Sequence, residues 1–316
     1  MTEKKHDVLT IGRSSIDLYS QNIGAPFNDI KGFDAFVGGS PLNIAVGCAR
    51  LGVNASLLTG VGDDKVGTFI LNFLENEGVN TQCISTIKGT RSSAVVLGIE
   101  PPDKFPLVYY RDNAADSQIT IDDVIKAKIN DYKIVLLNGT ALNIEPTRSA
   151  TFFAAEVADK NDIDVVLDLD FRADQWHDYR AFGLTIRALL SKVKIAIGTE
   201  EEILAATMSS TSQVTIKDQQ ISAPEIKGDI DSSIQQLLAL GIETLIVKKG
   251  SAGASIHYPE GSKKDVPGFP VEILNVLGAG DAFASGFLYG ILQGWDLYKS
   301  CRMGNASGAQ VVTKKG

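Results

Sequence analysis

Cysteine is scarce in this chain, and the cysteines present follow no pairing pattern. The three of them, Cys48, Cys83 and Cys301, lack the close spacing of a zinc site or a redox pair. This argues against a disulfide framework and favours small core residues in a reducing compartment.

Long apolar runs and an excess of positive charge are also missing. No run approaches the roughly 18 apolar residues that a membrane-spanning helix needs, and residues 1–5 lack the apolar stretch of a signal peptide. The net charge is −8, from 30 basic and 38 acidic residues, so no overall field attracts nucleic acid or an anionic membrane. We therefore expect a cytoplasmic protein with neither partner, in which any phosphate site is built locally.

What the chain does have is enough apolar residues, 44% of its 316, for a large core. Short apolar runs with the composition of strands buried on both faces of a parallel sheet alternate with helical patterns. The predicted strands are 7–12, 134–139, 165–170, 195–198 and 245–249, and the predicted helices are 146–159, 180–191, 231–240 and 281–313. This alternation predicts a layered α/β fold.

Two segments, 13–37 and 88–118, alternate in the manner of strands in a half-exposed sheet. Residues 101–103, Pro-Pro-Asp, are typical of a turn between two strands of the second segment. We interpret the two segments as a small β lid inserted into a main domain that spans residues 1–316. Residues 208–230 are rich in Ser, Thr and Gln, which predicts a surface loop.

The most informative segment is the glycine-rich turn 278–280, which is followed at once by Asp281 and a helical pattern with one apolar face. A helix that begins at such a turn offers unpaired N–H groups and the positive end of its dipole to an anion. Asp281 beside that anion suits a general base that deprotonates an attacking hydroxyl. The alternative is a structural turn with an acidic residue in the first turn of the helix.

A second glycine-rich segment, 37–45, also leads into a helix. Pro41 fits the first turn of that helix, and Asn43 can both donate and accept a hydrogen bond to a hydroxyl. A purely structural helix entry would need the same glycine and small polar residues, so this segment alone leaves both interpretations open.

Together the two segments resemble the signatures of the PfkB (ribokinase-like) carbohydrate kinases. They occur in the order of that family, about 240 residues apart, and residues 248–253 resemble its nucleotide loop. The matching positions are Gly38, Gly39, Asn43, Ala45, Gly52 and Gly62 in the first signature, and Gly278, Ala279, Gly280 and Asp281 in the second. The resemblance covers nearly the whole chain and implies a three-layer fold with a mainly parallel central sheet and a small β-sheet lid.

The resemblance also implies roles for individual residues. Asp281 would be the catalytic base, Gly278, Ala279 and Gly280 would form the anion hole, and the cofactors would be ATP and Mg²⁺. The implied sugar-side residues are Asp17, Gly39 and Asn43, and the implied nucleotide-side residues are Lys248, Lys249, Gly250, Gly253 and Asn305. A turn-capping role for Asp17 and a satisfied helix-face role for Asn305 stay open as alternatives.

Two positions depart from the family pattern. In the motif Asn-x-x-Glu, which organises magnesium and phosphates, Glu201 takes the glutamate position but Gly198 replaces the asparagine. The Asp-Thr pair before the anion hole is Asn275-Val276, which removes a carboxylate associated with a monovalent cation. The sequence ends at Gly316, near where the loop around that cation would be completed, so activation by a monovalent cation stays open.

Two further segments narrow the substrate class. Tyr109 and Arg111, at the tip of the expected lid, and Asp170 and Arg172, after a core strand, resemble segments of the kinases that act on keto-deoxy sugar acids. Surface ion pairs are the alternative for either arginine. We therefore expect a small sugar acid as substrate, with two keto-deoxy acids left open and fructose as the next alternative.

A sensor and a dehydrogenase are the alternatives from other classes of protein. A non-catalytic sugar or nucleotide sensor on the same fold would have no need for a base such as Asp281. A dinucleotide-dependent dehydrogenase is disfavoured because the first strand is not followed by the G-x-G-x-x-G turn. A homodimer through the exposed face of the lid is a further expectation.

Overall fold

A nine-stranded sheet forms the centre of the molecule. The computed structural model describes residues 4–100, 105–216 and 224–314. The strands are β1 (His6–Ile11), β2 (Ser15–Ser20), β3 (Phe33–Gly38), β4 (Ala55–Gly62), β5 (Ile84–Ile87), β6 (Ser93–Leu97), β7 (Leu107–Tyr110), β8 (Tyr132–Asn138), β9 (Asp164–Asp168), β10 (Ile195–Thr199), β11 (Val214–Thr215), β12 (Glu225–Ile226), β13 (Thr244–Lys248), β14 (Ala254–His257) and β15 (Lys263–Val266). The sheet has the order β15-β14-β13-β10-β9-β8-β1-β4-β5, and the seven strands from β13 to β5 are parallel.

Helices cover both faces of this sheet. They are α1 (Ser40–Arg50), α2 (Lys65–Asn76), α3 (Ile121–Ala127), α4 (Thr147–Lys160), α5 (Tyr179–Leu189), α6 (Glu200–Thr207), α7 (Ile230–Leu238), α8 (Ala279–Leu292) and α9 (Leu297–Val312). Side chains of β1 alternate between two apolar cores, because Leu9 packs in the core with α3 to α7 and Val8 packs in the core with α1, α2, α8 and α9. Across the described ranges, no helix has the length and apolarity needed to cross a bilayer.

The structure confirms the predicted three-layer α/β fold. All five predicted core strands are present, with ends that lie within two residues of the prediction. The single helix predicted at 281–313 is wrong, because α8 ends at Leu292 and α9 begins at Leu297. Gly294 adopts a left-handed φ of 72° between them, and the Asp296 side chain accepts a hydrogen bond from the Lys299 amide, which starts the new helix.

A separate four-stranded sheet, called the small sheet below, has the order β3-β2-β6-β7. Its strands fall within the two segments that were predicted as half-exposed, except that β3 extends one residue further, and the predicted turn at 101–103 lies outside the described residues. The inner face carries Asp17 and Tyr109 toward the main domain, whereas the outer face is apolar. Within 208–230 the structure adds the short pair β11-β12 to the predicted loop, and residues 217–223 lie outside the description.

Candidate active site

The site lies where the carboxyl ends of the parallel strands meet. Arg13 follows β1, Asp168 ends β9 and Lys248 ends β13, and helices α1 and α8 begin at the same edge of the sheet. This edge is where open α/β sheets usually bind ligands, because the loops after parallel strands converge there.

Helix α8 begins as the sequence predicts. Gly278 is the N-cap, in a left-handed conformation with φ of 76°, and Asp281 lies in the first turn. Gly280 faces a cation, since an ideal Cβ built on it would lie 3.4 Å from Lys248 Nζ. A fixed ammonium group and a helix N-terminus thus adjoin each other, an arrangement that favours a bound anion.

The two glycine-rich segments meet at the expected base. Asn43 Nδ2, in the first turn of α1, donates a hydrogen bond of 2.8 Å to Asp281 Oδ2. Burial raises the pKa of Asp281, and the negative charge of Asp170 raises it further, while the hydrogen bonds from Asn43 and Ser40 oppose the shift. A carboxylate oriented by an amide, with a raised pKa, has the properties of a proton acceptor.

Asp17, which is predicted to bind the sugar, is buried on the inner face of the small sheet. Ser15 Oγ donates to Asp17 Oδ1 at 2.6 Å, and burial raises the pKa of Asp17 although the positive charge of Arg13 lowers it. A Cβ on Gly38 would collide with the Asp17 carboxylate, and a Cβ on Gly39 would collide with the carbonyl oxygen of Arg13. Gly38 is therefore required for close packing against Asp17 and Gly39 for close packing against the backbone of Arg13, and the φ of 111° at Gly39 also requires glycine.

After β9 the chain brings Asp170 and Arg172 to the same region. Arg172 Nη2 lies 2.5 Å from Asp170 Oδ1, and the charges of Asp170 and Tyr109 help to hold the pKa of Arg172 above its ordinary value against the opposing effect of burial. Asp170 has a φ of 36°, a left-handed conformation that costs about 1–3 kcal/mol outside glycine and is concentrated at functional sites. The expected grouping of Tyr109, Asp170 and Arg172 is present.

Lys248 is the centre of a buried ionic cluster. Its Nζ lies 3.3 Å from Asp168 Oδ1 and 3.8 Å from Glu202 Oε2, and its side chain is 13% exposed. Burial raises the pKa of Asp168 to about 7, with the charges of Glu202, Asp170 and Asp281 adding to the shift and Lys248 opposing it. Of these residues, Lys248 was predictable from the sequence, whereas Asp168 and Glu202 are recognised only by their contacts with it.

The glutamate expected on the magnesium side, Glu201, lies next to a glutamate that contacts the Lys248 cluster. Glu201 is exposed, whereas the next residue, Glu202, accepts from the Thr199 amide at 2.8 Å and reaches the Lys248 cluster. The side chains of neighbouring helix residues point about 100° apart, so Glu202 faces the site while Glu201 faces solvent.

The raised pKa of Asp168 predicts a pH-dependent stability. Its folded-state pKa of about 7 lies above the ordinary 3.8, so the stabilising contribution is complete below about pH 4 and is lost as pH rises through 7. We expect the free energy of unfolding of wild type to fall between pH 5 and pH 8 relative to that of Asp168→Asn, which cannot titrate. Urea unfolding of both proteins at several pH values measures this difference. Parallel pH profiles would contradict the assignment.

The Arg111 side chain, which is expected to bind substrate from the tip of the lid, has several protein partners. Its side chain is 7% exposed, and its Nε lies 2.7 Å from Asp116 Oδ2. Its Nη1 donates to Gln175 Oε1 at 2.8 Å and to the Thr140 carbonyl oxygen at 3.0 Å. Arg111 therefore ties the end of β7 to the loops that follow β8 and β9.

The loop that is expected to bind the nucleotide joins β13 to β14, and its residues have different structural roles. Gly253 has a φ of 95°, and a Cβ there would collide with the backbone at Val266 and Gly268, so it permits close packing of two loops. Lys249 pairs with Asp265 at 3.2 Å on the surface.

Asn305 and Gly250 complete the expected set. Nδ2 of Asn305 donates to the carbonyl oxygens of Val266 and Pro267, which agrees with the alternative of a satisfied helix-face residue. Gly250 has a φ of 55°, with open space around the position of a Cβ. Glycine is therefore favoured here by the left-handed turn and not by close packing.

Comparison with known proteins places this site in a family. The sequence profile of the pfkB family of carbohydrate kinases matches residues 5–316. A 5-dehydro-2-deoxygluconokinase from Clostridium tetani is 32% identical over 311 residues, which cover 98% of this chain and 88% of that protein. Another from Bacillus velezensis is 30% identical over 313 residues, which cover 99% and 90%. The chain therefore belongs to the PfkB family of carbohydrate kinases.

Solved structures agree on the fold. An uncharacterized sugar kinase from Pyrococcus horikoshii has a TM-score of 0.80 and 26% identity, with 98% of this chain and 92% of that chain covered. A putative ribokinase II from E. coli, in complex with ATP and Mg²⁺, has a TM-score of 0.84 and 22% identity, with 98% and 94% covered. The fold is ribokinase-like, and the protein is a phosphotransferase that uses an alcohol group as acceptor.

Proposed function

We propose that this protein transfers the γ-phosphoryl group of ATP to the primary C6 hydroxyl of 5-dehydro-2-deoxy-D-gluconate, a keto-deoxy acid of inositol breakdown. The observation that carries the choice of an acid is the part-buried Arg172 guanidinium, whose charge acts on both Tyr109 and Asp281. A neutral sugar needs only hydroxyl partners, whereas a guanidinium matches a carboxylate in a charge-assisted hydrogen bond. The names of the relatives from C. tetani and B. velezensis support the same choice.

The reaction follows from the chemistry of the residues. Asp281 accepts the proton of the C6 hydroxyl while the hydroxyl oxygen forms a bond to the γ-phosphorus, and the bond from that phosphorus to the β,γ-bridging oxygen breaks to release ADP. The turn at 278–280 and the ammonium group of Lys248 stabilise the negative charge on the oxygens of the phosphoryl group in the transition state. Asn43 holds the accepting carboxylate in orientation through its bond to Oδ2.

Magnesium fits the acidic groups beside the phosphate site. Asp168 and Glu202 would supply the oxygen donors that this ion prefers, and both lie against Lys248 near the start of α8. We assign the magnesium side to Glu202, acting mainly through water, in place of Glu201. When bound, the ion neutralises charge on the nucleotide phosphates. A role for a monovalent cation stays open, because Asn275 replaces the family's carboxylate.

The small sheet would act as a lid over the sugar. Its inner face carries Asp17 and Tyr109 toward the site, and closure would exclude water and protect ATP from hydrolysis. Asp17 and Asp170 would accept hydrogen bonds from sugar hydroxyls.

A substrate panel tests the proposal. We expect ATP-dependent phosphorylation of 5-dehydro-2-deoxy-D-gluconate to have a higher kcat/KM than that of 2-dehydro-3-deoxy-D-gluconate, fructose or ribose. Phosphorus–proton coupling in the NMR spectrum of the product assigns the modified carbon. Preference for 2-dehydro-3-deoxy-D-gluconate would move the assignment to that acid, and equal use of fructose would favour a fructokinase. ATP binding without turnover on any of the four would favour a sensor.

The outer face of the small sheet supports a further proposal, a homodimer. The strand registers place one continuous set of apolar side chains on that face: Ile16, Leu18, Ala35, Val37, Ala94, Val96, Val108 and Tyr110. Val108 is 43% exposed and Tyr110 is 61% exposed. A second copy would cover this face with the same face, as two-fold interfaces require.

We expect Val96→Lys to shift the protein from dimer to monomer in analytical ultracentrifugation. Lys133→Ala, a substitution of an exposed residue in the main domain, is the control and should leave the mass unchanged. A wild-type protein that sediments as a monomer at micromolar concentration would refute this interface.

A further inference from the structure

Arg13 is a buried cation without an ion-pair partner among the described residues. The residue is 8% exposed, and its Nη1 donates to the Ser15 hydroxyl at 3.0 Å. Its Nε is buried and has no hydrogen-bond partner in the described parts of the chain. A buried charge normally has a directly bonded partner that offsets its lost hydration, and among the described residues no carboxylate lies within ion-pairing distance of Arg13.

The surroundings also show where that anion would lie. The guanidinium carbon is 5.1 Å from the ring centroid of Tyr109 on the inner face of the small sheet. Burial raises the pKa of the Tyr109 hydroxyl, and the charges of both Arg172 and Arg13 oppose that shift, so the two arginines lie near the same hydroxyl. The acidic groups that act on Arg13 from a longer distance are Asp17, Asp116 and Asp170.

We propose that Arg13 binds the carboxylate of the sugar acid together with Arg172, and that Arg13 sets the preference for an acid over a neutral sugar. The proposal rests on the proposed function, because it requires an acidic substrate. A bound carboxylate would give Nε the acceptor that it lacks and would place a counter-charge in direct contact with the guanidinium group. The hydroxyl of Tyr109 is placed to donate to the same carboxylate.

Arg111 is the rival for this role and differs in one respect. Its Nη2 is also buried without a partner, as are Nε2 of Gln175 and Oδ1 of Asp116. However, the charge of Arg111 is already compensated by Asp116 at 2.7 Å, and its Nη1 has protein acceptors. Arg111 therefore gains less from a substrate anion than Arg13 does.

The test compares D-gluconate with D-glucitol as competitive inhibitors, because the two differ only in a carboxylate against a neutral CH₂OH group. Inhibition constants are measured for wild type, Arg13→Met, Arg13→Lys and Arg111→Met against phosphorylation of the sugar acid. We expect Arg13→Met to weaken gluconate about tenfold or more, the range for a hydrogen bond to a charged group, and to leave glucitol within about twofold. Arg13→Lys keeps the positive charge but loses the two parallel donors of the guanidinium group. We therefore expect it to retain part of the selectivity for gluconate that Arg13→Met loses.

The outcomes separate the two levels of the proposal. Wild type that binds both inhibitors equally and phosphorylates fructose as well as the acid would overturn the proposed function and this inference with it. The inference alone would be overturned if wild type prefers acids but Arg13→Met loses the same affinity for both inhibitors. A selective loss of affinity for gluconate in Arg111→Met would overturn it as well. If Arg13→Met is misfolded, as a loss of ATP binding would indicate, Arg13→Lys takes its place in the test. A ratio of the inhibition constants of gluconate and glucitol that is unchanged from wild type in Arg13→Lys would then refute the role of Arg13.

Discussion

Asp281→Asn is expected to lower kcat by roughly 10²–10⁴, the range over which a general base acts. The amide keeps the shape of the side chain and can still bond Asn43, but it cannot accept the proton of the attacking hydroxyl. Dissociation constants for ATP and the sugar acid should stay close to those of wild type. Steady-state kinetics and isothermal titration calorimetry measure the two effects separately.

The matched control for this substitution is Asp296→Asn. Asp296 carries the same carboxylate to the start of α9, where it caps the helix rather than facing the site. We expect a small loss of stability and an unchanged kcat there. If Asp281→Asn keeps more than a tenth of wild-type kcat, the base lies elsewhere.

Lys248→Met should have the second largest effect, a fall of about ten- to a hundredfold in kcat/KM for ATP. This range corresponds to the loss of about 1.5–3 kcal/mol for a hydrogen bond to a charged group. Methionine retains most of the apolar stem but removes the ammonium group that lies beside Gly280 and the start of α8. The KM for the sugar acid should change less than that for ATP.

A neighbouring residue provides the control. Lys249→Met removes the adjacent ammonium group, which pairs with Asp265 on the surface, and should change kcat/KM by less than about twofold. Because Lys248→Met leaves the carboxylate of Asp168 without its cation, the double variant with Asp168→Asn should regain stability but not ATP turnover. Equal losses in the two lysine variants would show that overall charge, and not a phosphate contact, explains the effect.

The sequence predicted those parts of the site that depend on local chain geometry. Glycine-rich turns before apolar helical patterns placed Asp281 and Asn43 at two helix starts, and the structure brings these two side chains within 2.8 Å of each other. The core strands were predictable for the same reason, since a buried parallel strand is apolar on both faces.

What the sequence could not predict depends on side-chain direction and on partners distant in the chain. Asp168 and Glu202 belong to the site because they reach Lys248, and their own neighbours in the sequence carry no sign of that contact. The expected contact of Arg111 with substrate stays a prediction, and the protein partners that orient its side chain include Asp116 and Gln175, the second of which lies 64 residues away. The signal that could have identified the break between α8 and α9 is Gly294 followed by a capping Asp296.

The contacts of Arg111 have a mechanical consequence for the small sheet. One guanidinium group fastens the end of β7 to two loops of the main domain, one of which also carries Asp170 and Arg172. The strand at the opposite edge is held at the same end, because β3 runs through Gly38 directly into α1. The end of the small sheet beside the sugar site would therefore keep its geometry through each catalytic cycle, and movement would be confined to the end away from that site.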